Sequence, residues 1–326
     1  MLKDLDLEVV RAAHGRIRPY VMKTPLFRID VSAHGENGAC ELFLKAENLQ
    51  LVGAFKIRGA FSFMTTLPED CEGVVTHSSG NHAQAVARAS RMLGIPATIV
   101  MPDNAPLLKR RAAEKDGADI VTVGPDSNER KEVARDLAKK EGWVLVPPYD
   151  HFLVAAGQGT CALEMCEEMG AMERFYAPVS GGGLMAGCAT VIARLAPEAE
   201  IVGVEPVDGD DTKKSLEAGR RVSVPPPKSI ADGLRVRVPG EKTFAVIKKH
   251  VKRIELVDDD ELLDAMDFAL RRLRVVLEPS GAAALAVALR EGRGRCGVIL
   301  SGGNADMGLI QQVVARRRVR ECRCGQ

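Results

Sequence analysis

The chain has 326 residues, enough for about two domains at roughly 150 residues each. Lys plus Arg number 45 against 44 Asp plus Glu, and this net charge of +1 leaves no basic surplus for neutralising a nucleic-acid backbone. With 46% hydrophobic and 27% charged residues the chain reads as globular rather than disordered, and no run approaches the ~18 apolar residues of a bilayer-spanning helix.

The opening MLKDLDLEVVRAAHGR carries Asp4, Asp6 and Glu8 without an apolar core, so it does not read as a secretory signal. ELFLK (41–45) predicts a first strand. The segment Gly53–Ala60, GAFKIRGA, leads into a helix over roughly 57–67. Three strand–helix units follow: GVVTH (73–77) before a helix from Asn81 to Leu93, ATIVM (97–101) before one near 106–115, and DIVTV (119–123) before one near 127–141. Later, FYAPV (175–179), IVGVE (201–205) and CGVIL (296–300) each precede another helical stretch. VSVPPPKS (222–229) reads as a loop, and Asp258-Asp259-Asp260 before Glu261 and Leu262 as a helix N-terminus. Continuous apolar strands joined by crossover helices imply parallel sheets buried on both faces. The expected fold is therefore α/β with two lobes, each a twisted, mostly parallel sheet flanked by helices. The expected domains are a large one, 1–48 and 152–326, and a small one, 49–151, inserted into it.

Eight cysteines, at 40, 71, 161, 166, 188, 296, 322 and 324, form no CxxC and fall mostly in apolar stretches, as expected of reduced thiols in a cytoplasmic protein. Cys322 and Cys324 stand in a basic tail, RRRVRECRCGQ, and two thiols alone make a poor metal site.

Ligands of open α/β sheets sit beyond the carboxyl ends of the strands. There the sequence places Ser78-Ser79-Gly80-Asn81-His82, Ser180-Gly181-Gly182-Gly183 and Ser301-Gly302-Gly303-Asn304, three small-residue turns that together suggest a shared small-ligand cleft. Ser180–Gly183 opens a helix, and glycines before a helix N-terminus make an anion cradle. Gly181-x-Gly183-x-x-Ala186, with Glu205 at the next strand end, also fits a dinucleotide fingerprint, so this segment alone leaves a nicotinamide dehydrogenase open. Glu205, Gly209 and Asp211 offer two carboxylates and a carbonyl suited to a hard divalent cation. Lys56 follows Phe55 between glycines, and a lysine against apolar surface can lose its proton and act as a Schiff-base amine.

GAFKIRGA, HSSGNHAQA, AGQGT, SGGGL, IADGL, LEPSGAAALA and LSGGN stand in an order and spacing that resembles the threonine dehydratase/serine racemase family, pyridoxal 5′-phosphate enzymes of fold type II related to tryptophan synthase β. The resemblance runs from about Thr24 to Gly308. It implies Lys56 as the Schiff-base lysine with Phe55 against the cofactor ring, Asn81 at the phenolic oxygen and Ser301 at the pyridine nitrogen. It implies Ser180, Gly181, Gly182, Gly183 and Leu184 as the phosphate loop. Ser78, Ser79, Gly80, Asn81 and His82 would hold the substrate carboxylate, with Arg130 nearby. Ser79 would face Cα from the side opposite Lys56 and serve as a second catalytic group. Glu205, Gly209 and Asp211 match a Mg²⁺ or Ca²⁺ site. Two positions depart from the family pattern: Ala54 replaces a serine, and Ala83 stands where racemases have glycine.

A serine hydroxyl at the ring nitrogen cannot hold a proton there as an aspartate would, which favours β-elimination over transamination. The implied activity is an ammonia-lyase converting L-threonine or L-serine to a 2-oxo acid and ammonia. Serine racemase with side dehydratase activity and threo-3-hydroxyaspartate dehydratase are the alternatives. The family suggests a homodimer whose only other partner is a small amino acid, with no nucleic acid or membrane involved.

Overall fold

The computed structural model describes residues 4–32, 39–105 and 107–324; the Cys322 and Cys324 side chains lie outside what it describes. Ten strands in two sheets carry the helices. β1 (Leu26–Ser32), β2 (Ala39–Lys45), β7 (Arg174–Pro178), β8 (Glu200–Pro206), β9 (Arg253–Val257) and β10 (Gly294–Ile299) form a six-stranded sheet in the order β1-β2-β10-β7-β8-β9. It is parallel except for the β1–β2 pair, which runs antiparallel at one edge. β3 (Val74–His77), β4 (Ala97–Pro102), β5 (Asp119–Val123) and β6 (Val144–Leu145) form a wholly parallel four-stranded sheet in the order β5-β4-β3-β6.

The helices in chain order are α1 (Leu7–Ile17), α2 (Lys56–Met64), α3 (Asn81–Leu93), α4 (Leu107–Lys115), α5 (Ser127–Glu141), α6 (Phe152–Met169), α7 (Gly183–Leu195), α8 (Asp211–Ala218), α9 (Glu241–His250), α10 (Asp259–Phe268), α11 (Pro279–Glu291) and α12 (Met307–Cys324). Local chemistry sets many of their ends. Asp6, Asp126 and Asp258 accept backbone N–H groups at the starts of α1, α5 and α10, and Asp258 shares a reciprocal cap with Glu261. Gly94 and Gly142 close α3 and α5 with φ of 71° and 68°.

Alternation along the strands sorts the core. Phe43, Phe175 and Ile201 face one side of the large sheet, where α1, α6, α7 and α9 pack. Leu42, Leu44, Tyr176 and Val202 face the other, under α10 and α11. In the small sheet Val74 and Ile99 meet α2 and α3, while Val75 and Val100 meet α5. The few aromatics are therefore offset by tight Ala and Gly contacts. The closest is between α6 and α7, where the Gly159 and Gly187 backbones touch and Cys161 Sγ lies 3.7 Å from Cys188 Sγ.

Most predicted elements lie within a residue or two of the observed ones. The helix expected to reach about 67 stops at Met64, because the Thr65 and Thr66 hydroxyls donate to the Phe61 and Phe63 carbonyls and close the last turn. Not anticipated were the sheet edges β1 and β9, half-exposed and mixed in polarity, and the two-residue β6.

At Gly187 an added Cβ would collide with the Ala155 carbonyl oxygen and the Gly159 backbone, neither of which can move aside cheaply. Gly187→Ala should lower stability by about 1–3 kcal/mol or more, read as a lower urea midpoint at unchanged slope. An unchanged midpoint would show that α6 and α7 part without cost.

Candidate active site

The start of α2 is stitched to the turn that follows β10. Phe55 N donates to Ser301 O (3.1 Å), and Ala54 forms a β-bridge with Gly302. α2 has no side-chain cap, and Lys56 is its first residue. The Lys56 ammonium donates to Pro148 O (3.1 Å) and lies 5.1 Å from the centre of the Phe55 ring. Loss of water drives its pKa from 10.5 down to about 8, against the opposing pull of the Glu278 carboxylate.

Around this amine runs a chain of polar side chains. Asn81 Nδ2 donates to Glu278 Oε1 (2.5 Å), and Asn304 Nδ2 donates to Asn81 Oδ1 (2.9 Å) and to Val52 O (2.8 Å). Lys109 donates to Asp232 (2.6 Å) and stands 3.8 Å from Glu278. Burial raises the Glu278 carboxyl to about 7 in spite of Lys109, and its Oε2 has no hydrogen-bond partner. Sequence reasoning quoted the segments that hold Glu278 and Asn304 without selecting either residue. A signal was available for Glu278, the sole charged residue between Arg274 and Arg290.

The glycine loop faces the same space. Gly182 has a φ of +92°, and a Cβ there would meet Thr243 Oγ1 at 2.8 Å; a Cβ at Gly181 would strike the ring of Tyr149, next to the Pro148 that binds Lys56. Thr243 Oγ1 donates to Gly181 O (2.7 Å), tying the loop to α9. α7 begins without a side-chain cap, so its first-turn N–H groups point out of the helix toward any ligand there, with the positive dipole end behind them. Leu184 is buried beneath them, and Ser301 is buried with its hydroxyl 3.4 Å from Ser280 O. An anion-binding helix end, a half-buried amine of lowered pKa and a neutral hydroxyl together fit a phosphorylated carbonyl cofactor of the pyridoxal type.

The turn before α3 is half-buried. Gly80 N donates to the Ser78 hydroxyl (3.2 Å), and Ser79 lies beside it at the uncapped start of the helix. His82 does not turn its ring into this site. Its Nε2 meets Thr76 Oγ1 (3.1 Å) inside the small sheet, and its Nδ1 is buried without a partner. Burial, with Lys56 nearby, holds its pKa well below the ordinary value, so the ring is neutral. Arg130 donates to Pro125 O (3.0 Å), its buried Nε has no partner, and with Lys131 and Arg135 it stands around His77. Burial and these cations lower His77 to about 4.

Glu205 and Asp211 come together beyond β8. Glu205 accepts Thr212 N and Lys213 N (3.0 Å each), so its oxygens are committed away from a ribose position. Both Asp211 oxygens are buried without a hydrogen-bond partner. Burial raises Glu205 to about 7, and burial together with Glu205 raises Asp211 to about 8. Gly209 is buried next to them; among the described residues no group of three His, Cys, Asp or Glu side chains could hold a metal ion.

Comparison with known proteins agrees with this geometry. The model of the family described as "Pyridoxal-phosphate dependent enzyme" matches residues 17–302. The L-threo-3-hydroxyaspartate ammonia-lyase of Saccharomyces cerevisiae is 42% identical over 90% of this chain and 92% of its own. The serine racemase of Schizosaccharomyces pombe is 40% identical over 91% of this chain and 94% of its own. The solved maize serine racemase superposes with a TM-score of 0.89 at 37% identity, over 97% of this chain and 99% of its own. The nicotinamide alternative that the glycine loop left open falls with this family match.

Below pH 8 the folded, unloaded protein keeps a charged Lys56 half-buried and partly stripped of water, whereas the unfolded chain holds that proton up to about pH 10.5. Stability should therefore rise between pH 8 and 10.5. Lys56→Met should stabilise the unloaded protein by up to about 3 kcal/mol at pH 7, the gain vanishing above pH 10.5. Denaturant titrations at both pH values check this, and equal stability at pH 7 contradicts it.

Proposed function

The chain belongs to the pyridoxal-phosphate dependent enzyme family, its relatives are ammonia-lyases and racemases, and we propose that its reaction is elimination of water from L-threonine or L-serine. The observation that carries this reading is the half-buried amine of Lys56, bonded to Pro148 O next to Tyr149, whose side chain closes on the glycine loop that opens α7. Bound pyridoxal 5′-phosphate supplies an electron sink that acidifies the Cα–H of an amino acid. The α7 N-terminus, with Ser180 to Leu184, holds its phosphate. Asn81 and the Ser301 hydroxyl would bind the ring's polar atoms, with Phe55 against the ring. Ser78, Ser79 and the amides that open α3 take the substrate carboxylate, His82 contributing backbone only. Lys56, with a pKa near 8, takes the Cα proton as general base at mildly alkaline pH. Loss of the β-hydroxyl as water and hydrolysis of the product then give a 2-oxo acid and ammonia.

A second reading has its own observation. The unpartnered Nε of Arg130, beside Lys131 and Arg135, suits the extra carboxylate of 3-hydroxyaspartate. Racemisation would need a proton donor on the far side of Cα from Lys56, and Ser79 is the hydroxyl that the turn offers.

We also assign residues 49–151 to a small domain and 1–48 with 152–326 to a large one, supported by the two separate sheets. The exposed Met22, Leu49 and Val276, joined through Gln50 and Asn48, support pairing of two copies. Six free cysteines among the described residues support a cytoplasmic setting. Glu205, Asp211 and the Gly209 carbonyl would hold Mg²⁺ or Ca²⁺, supported by the two orphaned Asp211 oxygens.

Product analysis on L-threonine, L-serine, D-serine and 3-hydroxyaspartate decides among the substrates; lack of 2-oxo acid from all of them would end the elimination reading. Ser79→Ala should abolish any L-to-D conversion of serine while L-threonine deamination falls by no more than about tenfold, or 1.4 kcal/mol. Equal loss of both would limit Ser79 to shaping the carboxylate turn.

If the acidic pair holds a cation, excess Mg²⁺ or Ca²⁺ should raise the melting temperature and EDTA should lower it, worth about 2.7 kcal/mol at 100 times the dissociation constant. Asp211→Asn should remove that sensitivity. Melting indifferent to both cations and chelator would leave the pair as a structural feature.

A further inference from the structure

Among the described residues, the interior contains a knot of charge that the chemistry above does not use, reaching toward the surface through His14 and Glu168. Arg58 is wholly buried, two residues beyond Lys56 on α2. Its guanidinium bonds Glu47 through Nε and Nη2 (2.8 Å each) and Glu164 through Nη1 and Nη2 (2.7 and 2.9 Å). It also donates to Thr160 Oγ1 (3.1 Å) and Met22 O (3.2 Å). Lys45, equally buried, bonds Glu164 (2.7 Å) and Thr24 O (2.7 Å), so two cations meet two carboxylates. Every partner of the guanidinium lies outside α2: Met22, Glu47 just past the β2 end, and α6. The same turn of α2 is clamped a second time, by Gly59 N donating to Gln158 Oε1 (3.1 Å) on α6.

Removing water from four charges is costly, and a knot of this kind adds little net stability over apolar packing. What it does supply is direction, since a planar fork with its donors committed holds one orientation. α2 has no side-chain cap to fix its first turn. We infer that Arg58 is a positioning residue for Lys56: anchored by Glu47, Glu164 and Thr160, it locks the first turn of α2 onto α6 so that the Lys56 amine is aimed into the site and held half-buried there. This rests on Lys56 being the amine at the reacting centre.

Arg58→Lys retains the charge but cannot reach both carboxylates. In the loaded enzyme it should lower kcat at least about tenfold with KM changed less than about threefold. Hydrogen exchange of the amides from Ile57 to Ala60 should quicken. In the unloaded protein the pH midpoint for acetylation of Lys56, expected near 8, should move upward as water enters. Thr160→Val keeps all four charges and removes one bond to Arg58, so it serves if Arg58→Lys fails to fold; the same changes should appear, with kcat down about two- to fivefold. A folded variant that melts earlier yet keeps kcat, exchange and midpoint would overturn the proposal. Turnover by Lys56→Met would instead overturn the reading on which it rests.

Discussion

Much of the arrangement at the strand ends turns on one half-buried lysine amine. Lys56 is the first residue of a helix, where the positive dipole end already disfavours an ammonium, and burial disfavours it further. Among the described residues, the Glu278 carboxylate, the Pro148 carbonyl and the face of the Phe55 ring act the other way. An amine so placed is unstable in the protonated form and reactive in the neutral one. The surrounding fold has to supply the stability that this residue takes away.

It does so through backbone contacts more than through large side chains. α6 crosses α7 at Gly159 and Gly187, and α2 at Gly157, where an added Cβ would strike the Arg58 backbone or the Ser62 side chain. Close helix contact at these glycines brings Gln158, Thr160 and Glu164 within reach of α2. The same α7 that crosses α6 starts at the glycine loop, so the helix pairing and the anion site are set by one piece of packing.

Two unsatisfied carboxylates lie near the strand ends as well. The strand faces are apolar, and the orphaned carboxylate oxygens of Glu278 and Asp211 lie beyond the carboxyl ends of strands or at the loops they face. Burying an unpartnered carboxylate costs several kcal/mol unless it takes a proton or a ligand. The raised pKa values of Glu278, Glu205 and Asp211 express that cost.

Strands such as Val74–His77 and Arg174–Pro178 were legible because a parallel strand buried on both faces must be an unbroken apolar run. The turns Ser78–His82 and Ser180–Gly183 were legible because their small residues stand at such strand ends. Edge strands β1 and β9 were not, since a half-exposed edge carries a mixed pattern that loops also carry. His82 shows the finer limit: its place in the turn was readable, but the inward direction of its ring depends on how α3 lies over β3 and β6. Local pattern thus determined the elements, their order and the inventory of reactive side chains. Which of those side chains are dried and which are paired was decided only by tertiary structure. The Lys56–Pro148 bond spans 92 positions of the chain and the Arg58–Glu164 pair 106, and desolvation arises only when such distant segments close over the same few atoms.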